Sequence, residues 1–369
     1  MTPLDFDPQF PRARQQRLLA EMQKLQLDLV IVTQIEHVQW LTGPRFGPVF
    51  SPAAAIRSDG HVTLIAPKKP TVDAAADEVA HYEAQWHSTL RNDQRAAASQ
   101  VLLATLAGKS KSKRIGVEFS SFTRHLDSVG GEFVDIEPTI YRLRRRKDAD
   151  ELAKLRKAIA ATGKMYQLAR EIIAPGITEL EVFNRLQAAA VEEYGEMLTG
   201  TGNDYQCGAR GGPPRNNRKA EAGELYILDL GPAFRGYFAD NCRAIAVDGK
   251  PTDAQQAAWS HIMNVLRHVQ THVRPGKSCQ QLFHEAQEIL NHAPVGVFNH
   301  HLGHGIGLFP HEAPHLNPHW DDVFEVGDVF TAEPGLYDET ILRAGIRLEN
   351  DYLVTENGVE LLSDFPLEL

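Results

Sequence analysis

Two stretches of this chain repeat each other at an offset of 100 residues, and that repeat limits the available folds more than any other feature. APGITELEVFNRLQ begins at Ala174 and RPGKSCQQLFHEAQ begins at Arg274. Pro175 matches Pro275, Gly176 matches Gly276, Thr178 matches Ser278, Glu181 matches Gln281, Phe183 matches Phe283 and Gln187 matches Gln287. Each stretch is the same device. A helix stops at Pro-Gly, and the next starts with a hydroxyl followed three residues later by Glu or Gln, the pattern of a capping box. Matches kept in register along both stretches point to an internal duplication. A C-terminal domain of two similar halves follows, with a cleft where they meet.

Strand-like segments lie between and after these helices. ELYILDLG and YFADNCRAIAV, joined by a Gly- and Pro-rich turn, read as an antiparallel hairpin, and DVFTAEPGLY with GIRLENDYLVT as another pair. The domain is therefore expected to be an antiparallel sheet covered by helices. Upstream, the apolar runs Leu29–Thr33, Val62–Ala66 and Ile115–Phe119 read as short buried strands, alternating with helical patterns near 11–26, 93–107 and 120–130. This is an α/β domain without a cluster of catalytic residue types. The boundary falls in YRLRRRKDADELAKLRKA, where Arg142, Arg144, Arg145, Arg146 and Lys147 read as a solvated linker entering a helix capped at Asp148. The domains are then 1–145 and 146–369, as 369 residues lead one to expect.

Composition removes several function classes. A formal net charge of -10 disfavours a nucleic-acid or anionic-membrane partner. No apolar run reaches the ~18 residues of a membrane-spanning helix. The opening MTPLDFDPQFPRARQQ lacks the apolar core of a secretory signal, so a cytoplasmic protein is expected. Cys207, Cys242 and Cys279 are odd in number and lack CxxC spacing, which suggests neither a disulfide framework nor a thiolate zinc site.

Four carboxylates are out of place. In YILDLG, alternation gives Asp229 the same face as Ile227, while Leu228 and Leu230 take the other. Asp240 sits on the facing strand, flanked on its own side by Phe238 and Cys242. Glu333 in FTAEPG and Glu349 in IRLEND repeat the pattern, with Arg347 two residues along as a partner for Glu349. Singly, Glu333 or Glu349 reads as an ion-paired core residue, and Asp240 or Asp229 as a turn aspartate at the hairpin end. Together they repel one another at low dielectric unless cations neutralise them, and two divalent ions balance four carboxylates. A few residues upstream of Glu333, HHLGHGIGLFPHEAPHLNPH (300–319) holds six of the sixteen histidines.

Asp229, Asp240, His304 in GHGIGL, Glu333 in AEPG and Glu349 in RLEND resemble, in order and setting, the five ligands of the pita-bread metallopeptidases. This family includes methionine aminopeptidase, aminopeptidase P and prolidase. The ending ENDYLVTENGVELLSDFPLEL is similar to the Xaa-Pro branch, and the leading domain to the creatinase-type N-terminal domain. The resemblance implies an α+β fold: a pita-bread catalytic domain with an internal pseudo-two-fold, preceded by the α/β domain. It also implies that Asp240 and Glu349 bridge two metals, that Asp229 chelates one, and that His304 with Glu333 completes the other. A carboxylate-dominated set with one imidazole suits Mn²⁺ first, with Co²⁺, Fe²⁺ or Zn²⁺ as alternatives. A metal-bridging hydroxide would attack the peptide carbonyl. Glu333 would shuttle a proton, His311 would stabilise the oxyanion, His300 would contact substrate, and Arg347 would steady a ligand carboxylate at the substrate site. His301, His315 and His319 match no family role and read as surface or structural.

One departure stands out. Enzymes of the Xaa-Pro branch carry a substrate-binding histidine about seventeen residues before the first ligand aspartate, as the resemblance implies. Here that count reaches Gly212, and no histidine lies between Gly195 and Asp229. Arg210 or Arg215 is the candidate cationic donor to the same space. The leading expectation is a dinuclear metallohydrolase, an Xaa-Pro dipeptidase or aminopeptidase, acting as a homodimer on small peptides. The alternative is a same-fold enzyme acting on a small non-peptide amide, amidine-like or sulfonium compound. A non-enzymatic binding module is a third class, disfavoured because it needs none of the five ligands.

Overall fold

The apolar segment Leu29–Val32 is a strand buried on both faces, and a sheet is built around it. In the computed structural model, which describes residues 4–108, 113–202 and 204–369, the chain divides into two compact units, Met1–Arg144 and Arg145–Leu369. In the first unit Leu29–Val32 pairs antiparallel with Ala53–Arg57 and parallel with Arg114–Val117. The six-stranded sheet runs Glu78–Tyr82, Val62–Pro67, Ala53–Arg57, Leu29–Val32, Arg114–Val117, Glu132–Asp135. Helices Gln9–Leu25 and Gln94–Leu106 stand close to the expected positions, while the pattern at 120–130 resolves into a short 3-10 helix, Arg124–Val129. The helix Ile35–Thr42 was not legible from its sequence pattern.

The second unit shows the repeat directly. Helices Ala149–Ile172 and Glu179–Tyr194 form the first pair, and Asp253–His272 and Cys279–Asn291 the second. Thr178 and Ser278 each accept the N–H three residues on, at 3.1 Å in both copies. The likeness extends beyond the matched sequence. Gly176 N–H bonds Ala220 O and Gly276 N–H bonds Phe324 O, both at 2.8 Å, with both glycines at positive φ (96° and 87°). The reciprocal half of the expected capping boxes is absent among the described residues, because the side chains at 181 and 281 turn along their helices toward Arg185 and Glu285. Complete boxes cap the other helix of each pair instead, through Asp148/Glu151 and Thr252/Gln255.

Both expected hairpins are antiparallel ladders. Leu225–Leu230 pairs with Asn241–Ala246, and Val329–Ala332 with Asn350–Thr355. The second belongs to a five-stranded sheet covered by the helices Asp253–His272 and Cys279–Asn291, whose Ile262, Val265, Leu282 and Ala286 pack in one core with Phe330 and Tyr352. The two halves meet where Glu349 N–H bonds Cys242 O at 3.0 Å. The buried Arg243 reinforces this seam by donating to Cys242 O, Glu349 O and Asn350 Oδ1.

The basic run is not a solvated linker. It lies in and just after the helix Glu137–Arg145, and Arg145 and Lys147 are buried, pairing with Asp328 at 2.7 Å and Glu312 at 3.0 Å. The partners lie more than 160 residues away in sequence, which is why the run looked free. The three cysteines are unpaired and buried. No helix among the described residues is long and apolar enough to cross a membrane.

Candidate active site

Asp229 lies within its strand, but Asp240, Glu333 and Glu349 sit where the ladders break. Each hairpin divides into a long ladder and a two-residue one: Ala233–Phe234 with Tyr237–Phe238 in the first half, Gly335–Leu336 with Ile346–Arg347 in the second. The gaps between them, 231–232 with 239–240 and 333–334 with 348–349, contain Pro232 and Pro334 at corresponding places. Proline has no N–H to give a ladder, so pairing lapses there and side chains leave the pleat. His304 lies on the strand Gly303–Gly305, and both flanking positions need glycine. A Cβ at Gly303 would strike Thr331 O, and one at Gly305 would strike Ala313 O.

These devices bring the five expected ligands together. Donor atoms of Asp229, Asp240 and Glu349 lie within 4.8 Å of one another, and so do those of His304, Glu333 and Glu349. The two triads share Glu349. Asp240 also groups with His304 and His311, and His304 Nε2 stands 3.6 Å from both Asp240 Oδ2 and Glu333 Oε1. Burial pushes the carboxyls of Asp240 and Glu349 well above the ordinary range, and the facing carboxylates, Asp229 first, push them further. Glu349 Oε2 is buried with no hydrogen-bond partner among the described residues. An orphaned oxygen amid mutually repelling carboxylates is a place a cation satisfies. The donor set therefore fits divalent metal.

Arg347 is not the partner of Glu349. Its guanidinium bonds Asp229 Oδ2 at 2.8 Å and also Asp204, and donates to the Tyr337 hydroxyl at 3.2 Å. Asp204 and Tyr337 were missed from the sequence, Asp204 because it takes the polar side at the start of the short strand Asp204–Cys207, where it breaks no local rule. His301, expected to be structural, is part of the site: its Nε2 lies 3.1 Å from Glu333 Oε1. Burial disfavours the charge on both, but the contact prevails, holding Glu333 down to about 2 and His301 above its usual value. His311 lies flat against His304, with ring centroids 3.7 Å apart, and burial lowers both imidazoles, His304 to about 3. Burial likewise takes His300 down to about 4. Its two nitrogens are engaged, Nδ1 donating to His301 O at 2.7 Å and Nε2 accepting from the Tyr337 hydroxyl at 3.0 Å. As placed, His300 reaches a ligand only by giving up Tyr337. His315 pairs with Asp322 at 2.9 Å and His319 is exposed, so neither enters the site.

A cavity of about 410 Å³ opens onto this cluster. Of the two candidate replacements for the missing histidine, Arg210 lines it. Arg215 does not, because its guanidinium is spent on the buried Glu179 at 2.6 Å.

Comparison with known proteins decides the family. Residues 153–356 match the family described as metallopeptidase family M24, and residues 14–146 match the creatinase/prolidase N-terminal domain. The chain belongs to metallopeptidase family M24. It is a peptidase-type hydrolase with the pita-bread fold of that family, whose enzymes use divalent metals. An uncharacterised peptidase of Staphylococcus aureus (strain MW2) is 28% identical over 362 residues, covering 95% of this chain and 98% of its own. The Xaa-Pro dipeptidase from Bacillus anthracis shares the fold at a TM-score of 0.82 with 22% identity, over 97% of this chain and 99% of that one. A dipeptidase from Mycobacterium ulcerans aligns at a TM-score of 0.79 with 25% identity, over 99% and 98% of the two chains.

Proposed function

We propose that this M24 peptidase hydrolyses the Xaa-Pro bond of small peptides with a pair of divalent ions, Mn²⁺ first among them. The observation that carries the reading is the pair of ligand triads sharing Glu349, set at the floor of the cleft beside His311. Asp229, Asp240 and Glu349 would hold one ion, and His304, Glu333, Glu349 and Asp240 the other. When bound, the ions supply Lewis acidity to the amide carbonyl and acidify the attacking water.

The protein's own groups do the rest. Arg347 fixes the orientation of Asp229 by bonding its Oδ2, so that the other oxygen remains for a cation. His301 contacts Glu333 through Nε2 and orients its carboxylate, which would carry the proton to the leaving nitrogen. His311, stacked parallel to His304 and lining the cavity, would serve as the donor to the carbonyl oxygen as negative charge grows on it. His300 sets the Tyr337 hydroxyl beside the same space. The cytoplasmic setting and the homodimer belong to the same proposal, and rest on composition and family resemblance.

The test is a metal-supplemented assay over Xaa-Pro dipeptides, Xaa-Pro-Yaa tripeptides and Met-initiated peptides, with metal content measured on the purified protein. Cleavage of Xaa-Pro compounds that needs about two Mn²⁺ per chain, and is lost in Glu333→Ala, is the expected result. Metal bound without cleavage of any of these peptides overturns the Xaa-Pro reading. A small non-peptide amide, amidine-like or sulfonium substrate then takes its place, a reading favoured by the absence of histidine from the loop at Gly212.

A further inference from the structure

The loop after the strand Asp204–Cys207 leaves no room for a histidine at 212. Gly211 and Gly212 have φ of +148° and +123°, a region that favours glycine. A Cβ at Gly211 would strike the Asp204 carboxylate, and one at Gly212 would come within 2.9 Å of Gln206 Nε2. The backbone at 212 is itself in use, its N–H bonding Asp204 Oδ1 at 2.6 Å and its carbonyl accepting from Tyr205 N–H at 2.8 Å. This position offers main chain to Asp204, so the loop presents its chemistry from Arg210 instead.

Arg210 is held at both ends. Its carbonyl accepts from Arg347 at 3.0 Å. Its guanidinium lies over the Tyr337 ring, 3.9 Å from the centroid, and donates to Asn299 Oδ1 at 2.6 Å. The same Tyr337 carries the hydroxyl bonded to His300. The other arginine lining the cleft, Arg347, is committed to Asp204 and Asp229. No carboxylate among the described residues forms an ion pair with Arg210. A guanidinium has five donors in a fixed plane, and stacking on tyrosine fixes that plane before any ligand arrives. The result is an uncompensated, pre-oriented positive fork on the wall of a cavity of about 410 Å³, near the small end for ligand pockets.

We propose that Arg210 is the specificity-determining residue of this cleft, binding the free carboxylate of a dipeptide substrate. The inference deepens the Xaa-Pro reading by selecting dipeptides over longer or C-terminally blocked peptides, and it rests on that reading for the identity of the scissile bond. No bond is made or broken by Arg210. It forms charge-assisted hydrogen bonds to the carboxylate and fixes how deeply the peptide sits.

The test uses the Mn²⁺-loaded full chain and the variants Arg210→Gln and Arg210→Lys. Both keep the backbone carbonyl that Arg347 needs, and the side chain they alter is exposed. The wild type should prefer an Xaa-Pro acid over its C-terminal amide. Arg210→Gln should raise KM for the acid about tenfold or more while leaving kcat nearly unchanged, and abolish the preference over the amide. Arg210→Lys should recover only part of it. Equal use of acid and amide by the wild type, or an equal loss on both in Arg210→Gln, overturns the proposal. Calorimetric binding of proline and prolinamide separates this from the parent reading. Proline should bind more tightly to the wild type, and Arg210→Gln should erase the difference, even if no Xaa-Pro bond is ever cut. Binding of the two probes that Arg210→Gln leaves unchanged overturns it as well.

Discussion

His301 Nε2 lies 3.1 Å from Oε1 of Glu333, making a histidine outside the expected ligand set the direct partner of one inside it. Its ring also stacks loosely against His304 and His311, at centroid distances of 5.3 and 5.7 Å. Replacing it with alanine should weaken Mn²⁺ binding or activity roughly 10- to 100-fold, the usual cost of losing a group that orients a ligand. Metal titration and kcat/KM measured on His301→Ala check this. A merely structural His301 would leave both within about twofold of the wild type.

Arg347 joins Asp229 to Asp204, two carboxylates that stand directly opposite each other on paired strands. Lysine keeps the charge but cannot span both acceptors with a planar fork. Arg347→Lys is therefore expected to lose about 10-fold or more in metal affinity, and Asp204→Asn to lose less. Isothermal titration with Mn²⁺ gives the order, and a larger loss in Asp204→Asn would reverse the roles assigned here.

Restoring the family's histidine should fail. Gly212→His must adopt a φ of +123° and displace Gln206, a cost of about 1–3 kcal/mol with no gain in activity expected. A denaturation midpoint at or above that of the wild type would show that the loop has room.

The N-terminal unit carries its own acid-sensitive joint. Glu118 is buried and accepts from His37 at 2.6 Å, and from Thr33 and Ser121 as well. Burial works against the charge, but these donors, His37 foremost, win and hold the carboxyl below its ordinary value. A lowered folded-state value means the contribution is whole above the unfolded value near 4.5 and fades as pH falls through the folded one. Glu118→Gln should cost about 3 kcal/mol near neutrality and flatten that acid limb. Hydrogen exchange of the strands Leu29–Val32 and Arg114–Val117, measured between pH 3 and 7 by the standard linkage argument, reads both effects.

Much of the centre was legible because it breaks rules. An aspartate among Ile227, Leu228 and Leu230 defies burial statistics, and the same holds for Glu333 and Glu349. That these last two, with Asp240, sit at breaks in the ladders was not foreseen, though Pro232 and Pro334 mark both gaps. Asp204, Tyr337 and His301 escaped because a polar residue in a loop or at a strand end breaks no local rule. Their meaning comes from partners far along the chain, such as Arg347 for Asp204. Ala53–Arg57 was missed for a different reason: AAAIR has little strand propensity, and its burial on both faces between neighbouring strands decides its state.

The bond from Glu349 N–H to Cys242 O stitches two copies of a repeated unit edge to edge. Had the copies stayed alike, a peptide could lie across the seam either way round. They have diverged: the first copy faces the cleft with three aspartates and the Arg210 loop, the second with two glutamates and the four histidines 300, 301, 304 and 311. Arg210 reaches across from the first copy to lie on Tyr337 and bond Asn299 of the second, so the two copies bring unlike groups to one cleft. The direction in which a chain is read, and so which end is released, is a property of the difference between the copies.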